Sequence, residues 1–283
     1  MRDAHSIAVE AALKTNDELE RLFARLGTTD APRGRVLAAY RLAHRALQGN
    51  ASNLDVVVGV LADLRRMVRD VVADVFHDAV EVGMAQAERE LGAYGLAMPM
   101  VGVVSTTAAL DAVLSIIDSQ VTQIRAQLLS GIGDESLILG DEDRDGMLTP
   151  RPVIGTAATW VSALTMLAWT SSIERAAHSR DEYRRQAVAA VDERTTDCCL
   201  RVNGQVVGLN EDFHLTGTPR FADHLRNPPF HWYCRTSVAL VRVEDMDDAL
   251  TREMREAGRA ELRARGQTGR RVEIHPAHAR SRR

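Results

Sequence analysis

Cysteine is scarce in this chain and is confined to one region. The 283 residues contain three cysteines, Cys198, Cys199 and Cys234. The first 27 residues alternate apolar and charged groups and lack the apolar core of a secretory signal. We therefore expect a reducing compartment, in which these thiols are free or bound to a metal rather than joined in disulfides.

Long apolar runs are also missing. A membrane-spanning helix needs about 18 or more mostly apolar residues in succession, so we expect no membrane span. The most apolar piece, residues 161–169, is shorter than that and predicts a buried helix.

Lysine is nearly absent, and the positive charge is carried by arginine. Lys14 is the only lysine, and the net charge of −4 predicts no general affinity for nucleic acid. The C-terminal end is locally rich in arginine. A solvated, disordered tail is the ordinary explanation of such a run. A DNA contact is the alternative, because guanidinium groups bind phosphates in a bidentate way. The arginines concerned are Arg259, Arg263 and Arg265, followed by Arg270, Arg271, Arg280, Arg282 and Arg283.

Aromatic residues make up 4% of the chain, yet five of the twelve Phe, Trp and Tyr residues lie between residues 192 and 236. The same segment holds all three cysteines and the histidines His214, His224 and His231. Such a concentration of chemistry in an otherwise helical chain predicts a distinct structural unit.

Apolar periodicity predicts long helices in the first half of the chain. The predicted helices cover residues 5–26, 32–48, 54–94 and 106–129. Apolar residues in the last two recur at alternating spacings of four and three. Two such stripes joined by a break at 95–99 predict an antiparallel hairpin in a helical bundle, with a coiled coil between copies as the alternative. The stripes are Val57, Leu61, Leu64, Val68, Val71 and Val75, and then Leu110, Leu114, Ile117, Val121, Ile124 and Leu128.

The second half of the chain is more varied. Asn203-Gly204, flanked by apolar residues, is a strong signal for a two-residue hairpin. The predicted elements are a loop over 130–153, a helix over 156–190, short turn-rich pieces over 195–243 with a strand at 236–243, and a charged helix over 246–265.

These patterns predict a mainly α fold, in which a long-helix N-terminal bundle is followed by a small α+β C-terminal module with short strands. The predicted organisation is a helical bundle over 1–153, a connecting helix over 154–191, a Cys/His module over 192–245, and a charged helix with a basic tail over 246–283.

One acidic loop partly matches a calcium-binding pattern. Asp141, Asp143, Asp145 and Gly146 fit the first half of an EF-hand loop. The twelfth position of that loop should be a bidentate glutamate and is Pro152. We therefore expect no calcium site there.

The Cys/His segment has ligands of the kind that zinc prefers. Zinc in structural sites takes four ligands, usually Cys thiolates and His imidazoles. His231 precedes Cys234 by three residues, and a turn near Asn203 can bring Cys199 beside them. Candidates for the fourth ligand are Cys198, His214 and His224. Buried thiols without a metal, or redox chemistry, are alternatives.

A catalytic interpretation of the same residues is weaker. Cys199, His231 and Asp192 can be imagined as a nucleophile, base and orienting acid, but no glycine-rich or oxyanion pattern accompanies them. A metal-dependent nuclease built on His214, His224 and His231 is a further alternative.

The segment resembles the C-terminal domain of the Mu F-like minor head proteins of tailed bacteriophages, also called head morphogenesis proteins. That domain has a pattern like D-x-R-T-x-x-x-C-x-x-x-x-G and then, after a spacer, P-P-x-H-x-x-C-R. Many members continue with a further cysteine where this chain has Thr236. The matching residues are Asp192, Arg194, Thr195, Cys199 and Gly204 in the first half, and Pro228, Pro229, His231, Cys234 and Arg235 in the second.

The resemblance covers about 50 residues and implies a structural virion protein rather than an enzyme. It implies assembly in the host bacterial cytoplasm, association with the portal vertex or capsid interior, and contact with portal, capsid or scaffold proteins and with packaged DNA. A phage-associated metal-dependent nuclease or toxin is the alternative function.

Overall fold

The computed structural model describes residues 3–27, 34–100, 102–130, 135–140, 146–177, 181–217 and 221–268. The described residues form eight α-helices: α1 (Ala4–Leu26), α2 (Arg35–Leu47), α3 (Leu54–Ala93), α4 (Thr107–Leu129), α5 (Glu135–Leu139), α6 (Arg151–Ala176), α7 (Asp197–Val202) and α8 (Asp248–Thr268). They also form five short strands: β1 (Tyr183–Val188), β2 (Val206–Gly208), β3 (Phe213–His214), β4 (His224–Leu225) and β5 (Ser237–Arg242). The predicted fold class is confirmed.

The chain divides into two compact units. Unit 1 comprises the described residues within 1–20, 79–104 and 162–283, and unit 2 those within 21–78 and 105–161. These units do not follow the boundaries at 153, 191 and 245 that the sequence suggested. The reason is that α1 and the last part of α3 belong to the same hydrophobic core as the C-terminal strands.

Unit 2 is built on the two apolar stripes. All six stripe residues of α3 are buried, as are Leu114, Ile117 and Ile124 of α4. Arg65 of α3 donates to both carboxylate oxygens of Asp118 on α4, at 2.7 and 3.2 Å. The stripes are therefore covered within one chain, which favours the predicted hairpin over a coiled coil between copies.

Unit 1 contains a three-stranded antiparallel sheet in the order β2–β1–β5. The central strand β1 pairs with β5 from Tyr183–Arg242 to Val188–Ser237, and with β2 from Arg184–Gly208 to Gln186–Val206. The core against this sheet includes Ala8 and Ala12 of α1, Leu91 of α3 and Trp169 of α6. Helices from both ends of the sequence thus hold the sheet.

The predicted helix over 156–190 is wrong beyond Ala176. Residues Tyr183–Val188 form strand β1 instead, with strands paired on both of its edges. The charged sequence before it suits an exposed helix, but two ladders of backbone hydrogen bonds and burial of Tyr183, Ala187 and Val188 outweigh local propensity.

The predicted hairpin at Asn203-Gly204 is also wrong. Residues Asp197–Val202 form helix α7, and Asn203 is its C-cap. Gly204 has a φ of +74°, so the pair does mark a left-handed turn, but one that ends a helix. The Gly204 amide then donates to the carbonyl of Ala187 on β1.

Helix α6 is long and apolar enough to cross a membrane by length and composition, with a mean hydropathy of 1.3 over its most apolar window. Of that window, 67% is buried inside the protein, as in the core helix of a globular protein, so the match is weak evidence for a span. Pro152 lies in the first turn of α6, where proline is tolerated.

Candidate metal centre

The three cysteines and His231 come together in the core of unit 1. The sulfur of Cys199 lies 3.1 Å from Nε2 of His231 and 3.9 Å from the sulfur of Cys234. The ligand atoms of Cys198, Cys199 and His231 all lie within 4.8 Å of one another. All three cysteines are fully buried and His231 is 4% exposed.

Helix α7 places the first two cysteines. Its N-cap is Thr196, whose hydroxyl accepts a hydrogen bond from the Cys199 amide at 3.4 Å. The same hydroxyl lies 3.1 Å from the sulfur of Cys198. A threonine at this position satisfies a free amide of the first turn and so fixes where the helix begins.

The segment before β5 places His231 and Cys234. It begins with a cis peptide bond between Pro228 and Pro229, and its Phe230 ring packs edge-on against Phe213 with ring centres 6.0 Å apart. The carbonyl of Cys234 accepts a hydrogen bond from the buried Ser162 hydroxyl of α6 at 2.7 Å. The two halves of the cluster are thus attached to different helices of the core.

The orientation of the His231 ring suits metal binding. Its Nδ1 donates to the carbonyl of Trp232 at 2.6 Å, which leaves Nε2 directed at the sulfurs. In metal sites the ring nitrogen that does not bind the metal usually donates to a carbonyl or carboxylate in this way.

The pKa values of the three thiols are shifted in different directions: those of Cys198 and Cys234 are lowered, and that of Cys199 is raised. Burial raises the pKa of Cys199 well above its usual value, so this thiol keeps its proton and donates to its neighbours. The Cys199 thiol lowers the pKa of Cys198 to about 7. Burial alone would raise the pKa of Cys234, but Cys199 and His231 outweigh it and lower that pKa well below its usual value. Burial also opposes ionisation of His231, whose pKa the Cys234 sulfur raises nonetheless.

The chemistry of these residues is compatible with zinc, since three cysteines and one histidine form one of the ligand sets found in closed tetrahedral zinc sites. Among the described residues, however, the group whose ligand atoms all lie within 4.8 Å of one another is Cys198, Cys199 and His231, without the Cys234 sulfur. Zn–S bonds of about 2.3 Å in a tetrahedron place two sulfurs about 3.8 Å apart, close to the 3.9 Å between Cys199 and Cys234. Among the candidates for a fourth ligand, Cys198 is the one that lies in the cluster.

His214 and His224 do not join the cluster. They face each other on β3 and β4, where Nδ1 of His214 lies 3.2 Å from Nε2 of His224, and both are exposed. The Thr236 hydroxyl, at the position of the family's additional cysteine, is buried and has no hydrogen-bond partner among the described residues.

The charged motif residues form a second network. Arg235 donates to both carboxylate oxygens of Asp192 at 2.7 Å and to Glu20 of α1 at 3.1 Å. Arg194 also donates to Glu20, and the Thr195 hydroxyl donates to Asp192 at 3.0 Å. Burial on its own would raise the pKa of Asp192, but Arg235 outweighs it and holds that pKa at about 2.

Helix α8 and the motif glycine complete this network. Arg265, one of the arginines predicted to contact phosphate, instead donates to the carbonyls of Asp192 and Thr195 at 2.6 and 2.5 Å. A Cβ at Gly204 would lie 3.0 Å from the Thr251 carbonyl, so this turn packs closely against α8. Both residues therefore have structural roles in unit 1.

Sequence reasoning missed Arg185, a buried arginine on β1. Its guanidinium donates to the carbonyls of Gly208, Glu211 and Arg226 and to the Asn227 side chain, and it lies 5.4 Å from the centre of the Phe213 ring. Burial lowers its pKa to about 10. An arginine in a charged stretch gives no signal of this role, because its partners are backbone carbonyls distant in sequence.

Some predicted residues lie outside the described part of the chain. These are the acidic loop residues Asp141, Asp143 and Asp145, and the tail arginines Arg270, Arg271, Arg280, Arg282 and Arg283. Gly146, just after the acidic loop, is described, as are Arg259 and Arg263, both of which are exposed on α8.

Comparison with known proteins identifies no relative: no family model, no curated protein sequence and no solved structure matches the chain.

Proposed function

We propose that this chain is a minor head protein of a tailed bacteriophage, of the Mu F-like kind. It associates with the portal vertex or the capsid interior and supports head morphogenesis, DNA packaging or ejection. Its partners on this proposal are the portal protein and capsid or scaffold proteins, met in the cytoplasm of the host bacterium.

The observation that supports this proposal is the pairing of the two motif halves. Each half contributes one partner to the same contacts: Asp192 meets Arg235, and Cys199 meets both His231 and Cys234. Two sequence patterns separated by more than twenty residues have no reason to meet in space unless they belong to one structural module. These contacts therefore support the interpretation of the two motif halves as one structural module.

Burial favours a structural role over a catalytic one. A nuclease or toxin that used the Cys/His cluster would have to admit its substrate to ligands that are 0–4% exposed. The buried Cys199 sulfur instead lies 3.1 Å from Nε2 of His231 and 3.9 Å from the Cys234 sulfur, so these side chains join α7 to the segment before β5. A metal-dependent nuclease needs one coordination position on its metal that is open to water. An ion held by three cysteines and one histidine has no such position.

We further propose that the cluster holds zinc. Cys198, Cys199, Cys234 and His231 are the ligands, and the ion cross-links helix α7 to the segment before β5. Structural zinc contributes directly to folding free energy, which suits a module with short strands.

We also propose a role in DNA binding for the arginines of the C-terminal tail. Arg270, Arg271, Arg280, Arg282 and Arg283 contact packaged DNA, and truncation after Gly266 lowers the salt sensitivity of DNA binding. An unchanged salt dependence in the truncated chain would contradict this element alone.

Co-expression with the portal protein of the same phage genome tests the proposal. We expect the two to co-purify, while a portal protein from an unrelated phage serves as the matched control and stays unbound. Failure to co-purify, together with metal-dependent DNA cleavage that His231→Ala abolishes, would favour the nuclease alternative.

A further inference from the structure

A small groove in unit 1 lies between α7 and α8, and none of the cluster residues Cys198, Cys199, His231 and Cys234 lines it. Its volume is about 180 Å³, and its lining is strongly basic. The lining residues are Leu200, Arg201, Asn203, Gln205, Arg255 and Arg259.

Three arginines and no carboxylate line this groove. Arg201, Arg255 and Arg259 are all exposed, and none forms an ion pair within the part of the chain that the structure describes. The closest acidic residues in sequence, Asp197 on α7 and Glu256 on α8, are not among the lining residues. A Cβ at Gly217 would lie 2.5 Å from the Asp197 carboxylate and 3.0 Å from Nε of Arg201, so Asp197 is close to Arg201 outside the groove. The positive charge is thus concentrated in one small depression that has no carboxylate in its lining.

Hydrogen bonds determine which lining groups are free to bind a ligand. Arg255 Nε donates to the Gly204 carbonyl at 3.0 Å, which holds the guanidinium at the groove and uses only one of its three nitrogens. The two amide side chains are occupied instead. Asn203 bonds to Ala189 and Met254, and Gln205 bonds to His214. The donors available to a ligand are thus guanidinium groups.

The walls of the groove are held rigidly. A Cβ at Gly258 would lie 2.2 Å from the Leu200 carbonyl, so α8 touches the α7 backbone at a point where only glycine fits. Asn203 at the end of α7 also donates to the Met254 carbonyl of α8 at 2.7 Å. Both contacts fix the distance between α7 and α8. Arg201 of α7 and Arg259 of α8 therefore line the same groove.

We propose that this groove is an oxyanion site that takes one phosphate group. Guanidinium groups match the oxygens of phosphate in a bidentate way, and three arginines that line one groove suit a group with several negatively charged oxygens. The phosphate comes from free phosphate or from a nucleic-acid backbone. The proposal stands on the groove alone and does not depend on the assignment as a head protein.

The test compares two double variants that remove the same charge from the full-length protein. Arg201→Gln with Arg259→Gln removes two groove arginines, whereas Arg69→Gln with Arg252→Gln removes two exposed arginines that do not line the groove. All four side chains are exposed, so both variants should keep the wild-type melting temperature.

Inorganic phosphate is titrated into the protein and binding is followed by NMR. Chloride is adjusted to keep the ionic strength constant. We expect saturable shifts of the amides between Leu200 and Gln205, a loss of affinity of about tenfold or more in the groove variant, and no change in the control variant. Wild-type protein that shows no saturable shift, or equal loss in both variants, overturns the proposal.

A DNA duplex distinguishes the two sources of phosphate. If the backbone is the ligand, the groove variant reduces the salt dependence of duplex binding by about one unit for each arginine removed, and the control variant does so less. If the salt dependence is the same in wild type and groove variant while inorganic phosphate binding is lost, the site serves free phosphate.

Discussion

Nε2 of His231 lies 3.1 Å from the Cys199 sulfur, although the two residues are 32 positions apart in the sequence. The ring is held in this orientation by the hydrogen bond from Nδ1 to the Trp232 carbonyl. A metal ion can therefore replace the protons between nitrogen and sulfur without rotation of the imidazole.

Zinc content follows directly from this arrangement. We expect purified protein to contain about one zinc per chain, and Cys199→Ser and His231→Ala to lose it, because each removes one of four ligands. Metal analysis by mass spectrometry provides the measurement. The double variant His214→Ala with His224→Ala is the matched control and should retain full zinc. Wild-type protein with only a small fraction of an equivalent would reject the zinc site.

The ion pair between Asp192 and Arg235 predicts a loss of stability in acid. The pKa of Asp192 is about 2 in the folded protein, below the usual 3.8. Its stabilisation is therefore complete above about pH 4 and is lost as the pH falls towards 2. The Asp192 side chain is 35% exposed, and after allowance for solvent screening we expect Asp192→Asn to cost about 1 kcal/mol at neutral pH.

Urea unfolding at pH 2 and pH 7 provides the measurement for this ion pair. Asp192→Asn should be less stable than wild type at pH 7, and the difference between the two proteins should be much smaller at pH 2. Glu244→Gln is the control, since that carboxylate also pairs with an arginine but is 72% exposed. Equal losses of folding free energy from Asp192→Asn and Glu244→Gln would contradict a larger contribution from the less exposed ion pair.

Glu90 predicts a pH dependence of the opposite sign. This fully buried carboxyl accepts hydrogen bonds from Gln86, Trp169 and the Leu240 amide. Burial nevertheless raises its pKa to about 8. The folded state then holds a proton that the unfolded state releases above pH 4.5, so stability falls as the pH rises from about 4.5 to 8, by up to about 1.4 kcal/mol per pH unit.

Glu90→Gln removes the ionisable group and should flatten this part of the stability curve. The free energy of unfolding is measured at pH 5.0 and 7.5 in both proteins. The account predicts a smaller difference between the two pH values in the variant. Parallel curves for variant and wild type would show that Glu90 does not titrate in this range.

Arg185 predicts a large effect of a conservative substitution. Lysine keeps the charge but cannot reach four acceptors at once, because it has a single nitrogen in place of the planar fork. We expect Arg185→Lys to cost roughly 2–3 kcal/mol of folding free energy. Arg184→Lys, which alters the half-buried neighbour, should cost less than about 0.5 kcal/mol. Denaturant unfolding of both variants tests the difference, and similar costs would contradict the role given to Arg185.

Much of the helical fold could be predicted because its signal is local. The alternating spacing from Val57 to Val75 marks one face of α3, and all six residues are buried as that pattern requires. Helices α1 to α4 and α8 begin and end within three residues of their predicted limits. Periodicity carries this information because each helix buries a continuous face.

Strand β1 and helix α7 could not be predicted, because their positions depend on contacts that are not local in the sequence. Tyr183–Val188 is a strand because β2 and β5 lie beside it, and neither partner is close to it in sequence. Motif spacing proposed Cys199, His231 and Cys234 as one cluster, and in the structure the Cys199 sulfur lies 3.1 Å from Nε2 of His231 and 3.9 Å from the Cys234 sulfur. Spacing alone did not choose Cys198 over His214 and His224, since that choice depends on where β3 and β4 lie.

The composition of the virion tests the central proposal most directly. Phage particles are purified from a host that carries the genome encoding this chain, and their proteins are identified by mass spectrometry. The account predicts that the chain is present in mature heads, in fewer copies than the major capsid protein. Its absence from particles in which the portal protein is readily detected would contradict the assignment as a minor head protein.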